Sequence, residues 1–171
     1  MKSSEFKLMV MPYSSRLYRM AFRLMNNREE AEDIVQEVYV KLWGMRNELN
    51  KYNSIEALSI RITRNLCLDQ LRRRKVNQNA LKAEKLKEES YSVTPAEDLE
   101  KKEEIELIHT LIAALPEPQR SLVYLRHLEG KEYEEISEMV NMNVNAIRVS
   151  ISRARKQMRE MLEKKYSSWK A

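Results

Sequence analysis

Basic side chains recur at helical intervals near the C-terminus of the chain. The line consists of Arg148, Ser152, Arg155 and Arg159, with Asn145 at the start of the same predicted helix. Residues spaced by three and four positions lie on one side of an α-helix. The guanidinium fork of arginine pairs with guanine edges or with phosphates, so this face is suited to nucleic acid. A basic face that is merely solvated is the simpler alternative, and the helix alone does not decide between the two.

A short helix and a turn precede this basic helix and complete a predicted helix-turn-helix. The first helix runs from Tyr133 to Val140, and Asn141 can adopt the left-handed backbone that the turn needs. On the second helix an apolar stripe from Ile147 to Met158 lies about 100° away from the basic line. One face therefore packs against the domain, and the other is free to enter a groove of DNA.

A second basic helix is predicted in the first half of the chain, from Ser54 to about Lys75. Arg61, Asn65 and Arg72 lie within roughly 40° of one another, between two apolar sides of this helix. The candidate DNA contacts on it are Arg61, Arg64, Asn65, Arg72, Arg73 and Lys75. The alternative is a core helix whose last basic turn only complements the helix dipole.

The net charge of +5 is concentrated in two blocks. Residues 61–75 contain six basic and one acidic residue, and residues 146–165 contain seven basic and two acidic residues. Residues 76–106, between these blocks, contain five basic and nine acidic residues. Two separated basic blocks predict two contacts with a polyanion.

The polar side of a third helix is acidic rather than basic. Asn27 is a predicted N-cap with Glu30 as its capping-box partner, and an apolar stripe follows from Ala31 to Trp43. The polar side of this helix carries Asp33, Gln36 and Glu37. Because carboxylates repel phosphate, this face indicates a protein partner, unless it is simply solvated.

Composition excludes several classes of function. The two glycines, Gly44 and Gly130, are too few for a glycine-rich phosphate loop, and a single cysteine excludes a disulfide or a cysteine-rich zinc site. Cys67 lies on the apolar side of its helix, far in sequence from His109 and His127, so we expect no catalysis, metal or cofactor. No apolar run is long enough to span a bilayer, which predicts a cytoplasmic chain without membrane insertion.

The order of helices and breaks predicts an all-α fold of two small helical domains joined by a flexible linker. The N-terminal domain spans residues 1–76, and a polar, acidic linker spans 77–104. The C-terminal domain spans 105–171 and contains the helix-turn-helix.

The C-terminal domain is predicted to begin with two further helices. An apolar stripe on the first is expected to face the core, and consists of Ile105, Ile108, Ile112 and Leu115. Pro116 ends this helix, and Pro118 can begin the next one, which ends near Gly130.

These segments, in this order, resemble bacterial RNA polymerase sigma factors of the extracytoplasmic-function (ECF) class. The likeness rests on AEDIVQEVYVKLW at 31–43, RITRNLCLDQLRRRK at 61–75, LPEPQR at 115–120 and VNAIRVSISRARKQMREML at 144–162. TPAED in the linker is similar to a short acidic proline motif of the family. The combination is specific, whereas no single segment would be.

The resemblance implies a transcription initiation factor that binds core RNA polymerase and promoter DNA. The helix at 31–43 would dock on a coiled coil of the large polymerase subunit. The contacts implied there are Asp33, Gln36 and Glu37, which are polar, and Val40 and Trp43, which are apolar. The basic helix at 61–75 would contact the downstream (−10) element, and the loop at 47–53 would hold a flipped base. The helix-turn-helix would bind the upstream (−35) element.

The resemblance also implies an anti-sigma factor as an inhibitory partner and a monomeric state for the free chain. The chain departs from the family pattern at Leu58-Ser59, where Trp-Leu is frequent, and at Ser137, where alanine is usual. Its recognition helix begins Ala-Ile-Arg-Val-Ser at 146–150 in place of the common Thr-Val-Lys-Ser-Arg, so that Ser150 replaces an arginine. The promoter sequence is not predicted.

Two other classes of protein share parts of this pattern. A stand-alone helix-turn-helix regulator would explain the C-terminal motif, but it normally needs a dimer interface, and the sequence has no heptad seam. A helical adaptor would explain the acidic face but not the two basic blocks. The mass in solution separates a dimeric regulator from a monomeric sigma factor.

Overall fold

The computed structural model describes residues 1–80 and 99–169, with side chains described for 1–77 and 102–167. Every regular element within these ranges is helical, which confirms the all-α prediction. The helices form two compact units, the first built from the N-terminal helices and the second from the C-terminal ones. None of the described helices has both the length and the apolar character needed to cross a bilayer.

Within residues 1–80, the N-terminal unit contains four α-helices. They are α1 (Ser3–Val10), α2 (Ser14–Met25), α3 (Arg28–Gly44) and α4 (Ile55–Ala80). Single 3-10 turns at Met11–Tyr13 and Leu49–Lys51 connect α1 to α2 and precede α4. The sequence did not predict α1, whose Phe6 and Val10 are buried.

Short polar side chains fix the ends of these helices, including the predicted N-cap Asn27. Asn26 ends α2 in the left-handed conformation, with φ 50°. The side chain of Asn27 caps α3 by accepting from the Glu30 N–H at 3.1 Å, and Ser54 Oγ caps α4 by accepting from the Ala57 N–H at 3.0 Å.

The expected capping box at Asn27 is wrong in its second half. The Glu30 carboxylate forms an ion pair with Arg74 of α4. The Glu30 carboxylate pairs with this arginine instead of accepting a hydrogen bond from the Asn27 backbone N–H. Glu30 therefore links α3 to α4 rather than capping the N-terminus of α3.

The core of the N-terminal unit lies where α2 packs against α3 and α4. Its largest fully buried side chains are Leu17, Met20, Ile34, Leu42, Leu49 and Ile60. Cys67 is fully buried as well, as its place on the apolar side of α4 predicts. This packing leaves the opposite sides of α3 and α4 facing solvent.

Within residues 99–169, the C-terminal unit contains four more α-helices and one turn of π-helix. They are α5 (Leu99–Ala113), α6 (Gln119–Val123), the π turn (Tyr124–Leu128), α7 (Tyr133–Val140) and α8 (Val144–Trp169). Large buried side chains from these elements are Leu115, Leu122, Leu125, Ile136, Met139 and Ile147. Gly130 has a φ of 66° and follows the π turn, which is the left-handed position that glycine tolerates best.

The apolar stripe of α5 is only partly buried, contrary to expectation. Ile112 and Leu115 pack with Val123 and Ala154. Ile105 and Ile108 remain 48% and 45% exposed. The part of the stripe that joins this cluster therefore lies at the C-terminal end of α5 and just beyond it.

Helical residues extend into both ends of the span 77–104, which the sequence predicts to be a linker. α4 continues to Ala80, and α5 begins at Leu99. The remaining part of the span, including Thr94-Pro95, lies outside the described residues. The exact boundaries of the two domains stay a prediction.

Candidate nucleic-acid and protein interfaces

The turn between α7 and α8 has the backbone that a helix-turn-helix requires. Asn141 is left-handed with φ 55°, as predicted, and its N–H bonds to the Ser137 carbonyl. The Ser137 hydroxyl donates to the Met142 carbonyl at 2.6 Å, so this serine ties the end of α7 to the turn. Asn143 then caps α8, its side-chain oxygen accepting from the Ala146 N–H at 2.8 Å.

All five predicted contacts on α8 face solvent. They are Asn145, Arg148, Ser152, Arg155 and Arg159. The other side of the helix, represented by Ile147, Ile151 and Ala154, is buried in the C-terminal unit. The helix therefore presents a mainly polar and basic face, as its amphipathic pattern predicts.

One of these arginines, Arg148, is held in place by a ring that it shares with Arg126, a residue that the sequence did not single out. The Arg148 guanidinium carbon lies 5.0 Å from the centre of the Tyr133 ring, and that of Arg126 lies 4.7 Å from the same ring. Arg126 also donates to the Lys131 carbonyl at 2.8 Å and pairs with Glu132 at 3.0 Å. The hydrogen bond to Glu132 raises the pKa of Arg126 above its ordinary value. One aromatic ring thus orients two cations.

A histidine contacts a second predicted arginine of α8. Arg155 Nη2 lies 3.3 Å from Nε2 of His127. Partial desolvation, followed by the charges of Arg155 and Arg126, lowers the pKa of His127 below its ordinary value. The neutral ring can accept from Arg155, and the cluster keeps its charge on the arginines.

Sequence periodicity could not find Arg126 and His127 because both lie in the π turn. A π turn adds a residue to the helical repeat and shifts the direction of the side chains that follow it. An ordinary helical wheel through 119–128 therefore points these two residues in the wrong direction.

The basic residues of α4 divide into two groups. Arg61 and Arg64 are half-buried, whereas the others of the predicted set are exposed, namely Asn65, Arg72, Arg73 and Lys75. Arg61 and Arg72 are separated by about 16 Å along the helix axis. Arg72 also pairs with Asp69 at 3.3 Å. The structure thus places Arg61, Asn65 and Arg72 in one line, with Arg73 about 100° to one side.

Arg74, which the sequence leaves out of the candidate contacts, points into the N-terminal unit. Its guanidinium pairs with Glu30 of α3 and donates to the Met25 carbonyl at 3.4 Å. Burial lowers the pKa of Arg74 below its ordinary value. Arg74 thus joins α4 to the N-terminus of α3 and the C-terminus of α2, and its charge is used within the fold.

The predicted protein-binding face of α3 is exposed along its length. It consists of Asp33, Gln36, Glu37, Val40 and Trp43. Val40 is 70% exposed, an unusual degree for an apolar residue in a helix, and Trp43 is 38% exposed. Acidic and amide groups thus lie toward the N-terminal end of this face, and apolar groups lie toward its C-terminal end.

Helix α1 extends the apolar end of this face. Phe6 packs edge-to-face on Trp43 with ring centres 5.1 Å apart. A shallow groove of about 370 Å³ lies between the two helices, lined by Ser3, Phe6, Lys7, Met11, Tyr39, Val40 and Trp43. The sequence missed this contribution because α1 shows only a short apolar patch.

Two family models match the chain in consecutive segments. Sigma-70 region 2 matches residues 9–76, and Sigma-70 region 4 matches residues 105–158. The first match includes α2, α3 and most of α4, and the second includes the helix-turn-helix.

Sequence relatives carry the same family description. The chain is 34% identical over 165 residues to the ECF RNA polymerase sigma factor SigE of Mycolicibacterium smegmatis, covering 91% of this chain and 61% of that protein. It therefore spans about three fifths of the length of that relative. It is 27% identical over 159 residues to the ECF sigma factor SigW of Bacillus subtilis, covering 88% of this chain and 84% of that protein.

Two solved structures share the fold. The sigma factor RpoE from Bartonella quintana, in complex with the anti-sigma factor NepR, aligns with a TM-score of 0.74 and 23% identity, covering 93% of this chain and 97% of that one. CnrH, in complex with the cytosolic domain of CnrY, aligns with a TM-score of 0.64 and 17% identity over 95% and 90% of the two chains. With both regions matched in order and with ECF relatives across most of its length, the chain belongs to the sigma-70 family, in its extracytoplasmic-function (ECF) subfamily.

Proposed function

We infer that this chain is a transcription initiation factor that binds core RNA polymerase and directs it to specific promoters. The observation that carries this function is the presence of three outward faces with two kinds of chemistry. The face of α3 is acidic and apolar, whereas those of α4 and α8 are basic. Family membership supplies the context in which one chain needs all three.

Helix α3 is the proposed docking surface for polymerase. Asp33, Gln36 and Glu37 would form polar contacts with basic groups of the partner. Val40 and Trp43 would provide the apolar contact area, because a large part of each side chain is exposed to solvent. Such a combination of a desolvated aromatic anchor and flanking charges is typical of protein–protein hot spots.

Helix α4 is proposed to contact the downstream (−10) element during strand opening. The line formed by Arg61, Asn65 and Arg72 can hold phosphates or base edges of a separated strand. Arg64, Arg73 and Lys75 would add phosphate contacts beside it. Unstacking a base costs a few kcal/mol, which contacts from the loop at 47–53 would offset.

Helix α8 is proposed to enter the major groove of the upstream (−35) element. The N-terminal residues of a recognition helix are those that reach base edges. Asn145 and Arg148 occupy that end, whereas Arg155 and Arg159 lie farther along, where phosphates are the natural partners. Domains spanning 1–76 and 105–171, joined through 77–104, would raise each other's effective concentration on one promoter.

An anti-sigma factor is the proposed regulatory partner. The related RpoE structure contains one bound to a chain of the same fold. The proposed function also places the chain in the cytoplasm, where it would be monomeric when free and would need no cofactor.

Reversing two charges on α3 tests the docking surface. We expect Asp33→Lys with Glu37→Lys to abolish co-purification of the full chain with core polymerase. Like charges brought together at a desolvated contact cost several kcal/mol, which is at least about a hundredfold in affinity. The matched control is Glu103→Lys with Glu106→Lys, which makes the same change of net charge at exposed positions of α5.

Circular dichroism is measured beside the pull-down, because Asp33 near the N-terminus of α3 contributes a few tenths to about 1 kcal/mol through the helix dipole. A folded double variant with unchanged polymerase affinity would reject this surface. A parent chain that binds duplex DNA as a dimer and never binds polymerase would instead support a stand-alone regulator.

A further inference from the structure

One apolar side chain lies in the middle of the outward face of α8. Val149 is 49% exposed, although it is flanked in sequence by the most basic part of the helix. Ile147, Ile151 and Ala154 are buried on the other side. At 100° per residue, Val149 points roughly 170° away from the average direction of these three side chains. It therefore points almost directly away from the core.

The neighbours of Val149 on this face are polar and exposed. Asn145 precedes it by one helical turn, and Ser152 and Arg153 follow it by one turn. Residues three and four apart are adjacent on a helix surface, so these three side chains lie beside the valine, and the remaining neighbour, Ala146, is partly buried. Along the axis they cover about 12 Å, or roughly two turns of the helix.

The arginines beside this group are held toward the edge of the face. Arg148 lies against Tyr133, and Arg155 contacts His127. Both partners belong to elements that precede α8, so these two guanidiniums are drawn toward the flank. The centre of the face is left to the exposed valine and its polar neighbours.

Valine is a poor choice for an exposed helical position on grounds of stability. Its β-branch restricts the side chain in a helix, and alanine, lysine or glutamate would be better helix formers there. Its exposed methyl groups also gain nothing from water. An apolar group at the centre of a groove-binding face does have one matching group in duplex DNA, the C5-methyl of thymine, which projects into the major groove.

We propose that Val149 contacts the C5-methyl group of a thymine in the upstream element and so selects thymine at that position. The inference rests on the proposed entry of α8 into the major groove, and it specifies one base that α8 recognises there. Cytosine lacks this methyl group, and so it loses the apolar contact. Arg153, exposed next to Val149, would contact the adjacent base or phosphate.

Replacing thymine by deoxyuridine tests the contact, because it removes the methyl group and keeps the base pair. The full chain in complex with core polymerase is first used to select duplexes from a pool with a randomised upstream segment. Each thymine of the selected upstream sequence is then replaced singly by deoxyuridine. We expect one position to bind about fourfold more weakly, as one buried methyl group predicts. With Val149→Ala, deoxyuridine and thymine should bind alike there.

Two further variants separate the contact from general effects. Val149→Ile keeps an apolar contact and should keep the sensitivity to the methyl group. Glu163→Ala, at an exposed position farther along α8, should leave it unchanged. Since alanine favours helix, Val149→Ala is expected to melt at or above the temperature of the parent.

The outcomes distinguish the inference from the function on which it rests. A selected sequence without a methyl-sensitive thymine, or equal sensitivity in the parent and Val149→Ala, overturns the role of Val149 and leaves the proposed function intact. A polymerase complex that selects no upstream sequence overturns both.

Discussion

Two neighbouring arginines of α4 have different surroundings although their side chains are chemically identical. Arg73 is exposed, whereas Arg74 pairs with Glu30 and donates to the Met25 carbonyl. A rotation of about 100° per residue separates a solvent-facing cation from one that joins three helices. The number of basic residues in a block therefore overstates the charge available for DNA.

Replacing these two arginines in turn should separate stability from binding. We expect Arg74→Ala to lower the free energy of unfolding by about 1–2 kcal/mol, since it leaves the Glu30 carboxylate partly desolvated without its partner. Arg73→Ala should stay within about 0.5 kcal/mol of the parent, as exposed substitutions usually do. Urea unfolding followed by circular dichroism measures both. Equal destabilisation by the two variants would contradict the inward role of Arg74.

His127 should make stability depend on pH in one direction. Partial desolvation and the nearby Arg155 and Arg126 lower its pKa in the folded chain, whereas an unfolded histidine titrates near pH 6.5. Above that pH both states are neutral and the stability is fully present. Below it the unfolded state takes up the proton first, so stability falls until the folded-state pKa is passed.

The corresponding measurement is the free energy of unfolding between about pH 7.5 and pH 5 for the parent and for His127→Gln, which does not titrate. We expect the parent to lose stability relative to the variant as the pH falls. Parallel curves for the two proteins would show that the folded chain does not disfavour the charged ring.

At the scale of elements, the helices with strong local signals could be predicted and those without could not. Asn27 and Ser54 cap α3 and α4 at the expected residues, and Asn141 adopts the expected turn. Such features depend on side chains within a few residues, and the sequence contains them directly.

The elements that the sequence missed depend on tertiary contacts. Helix α1 is stabilised by the burial of Phe6 and Val10, and its register against Trp43 is set by packing. The π turn places Arg126 and His127 beside α8 by a change of helical repeat that no periodicity reports. For the same reason the contact between Arg126 and Tyr133 could not be predicted. The exposure of the predicted contacts on α8, by contrast, follows from the amphipathic pattern of that helix.

The turn of the helix-turn-helix should tolerate glycine better than a β-branched residue. Asn141 has a φ of 55°, a conformation that costs an ordinary residue roughly 1–2 kcal/mol. We expect Asn141→Val to lower the free energy of unfolding by that amount or more, and Asn141→Gly to remain close to the parent. Chemical denaturation compares the two, and a valine variant as stable as the glycine variant would argue against a left-handed turn at this residue.

At the scale of the whole molecule, a nearly balanced composition hides a strict division of surfaces. The net charge is only +5, yet the outward basic residues concentrate on α4 and α8, and carboxylates lie on the exposed side of α3. A uniformly basic chain would attract DNA everywhere, including the surface proposed to dock on polymerase. Separation by helix would let one chain bind a protein and a polyanion without competition between them.

This division predicts that α4 and α8 affect different steps of initiation. In the complex with core polymerase, Arg148→Ala with Arg159→Ala should weaken binding to duplex DNA that contains the upstream element. Each lost phosphate contact should also lower the slope of log affinity against log salt by about 0.9.

Arg61→Ala with Asn65→Ala should leave duplex binding largely intact and reduce strand opening, because these side chains are proposed to contact the separated strand. Permanganate reactivity of unpaired thymines measures opening, and salt titrations measure duplex binding. A reversed pattern, in which the α8 pair impairs opening at saturating duplex and the α4 pair alters only the salt slope, would exchange the roles of the two helices.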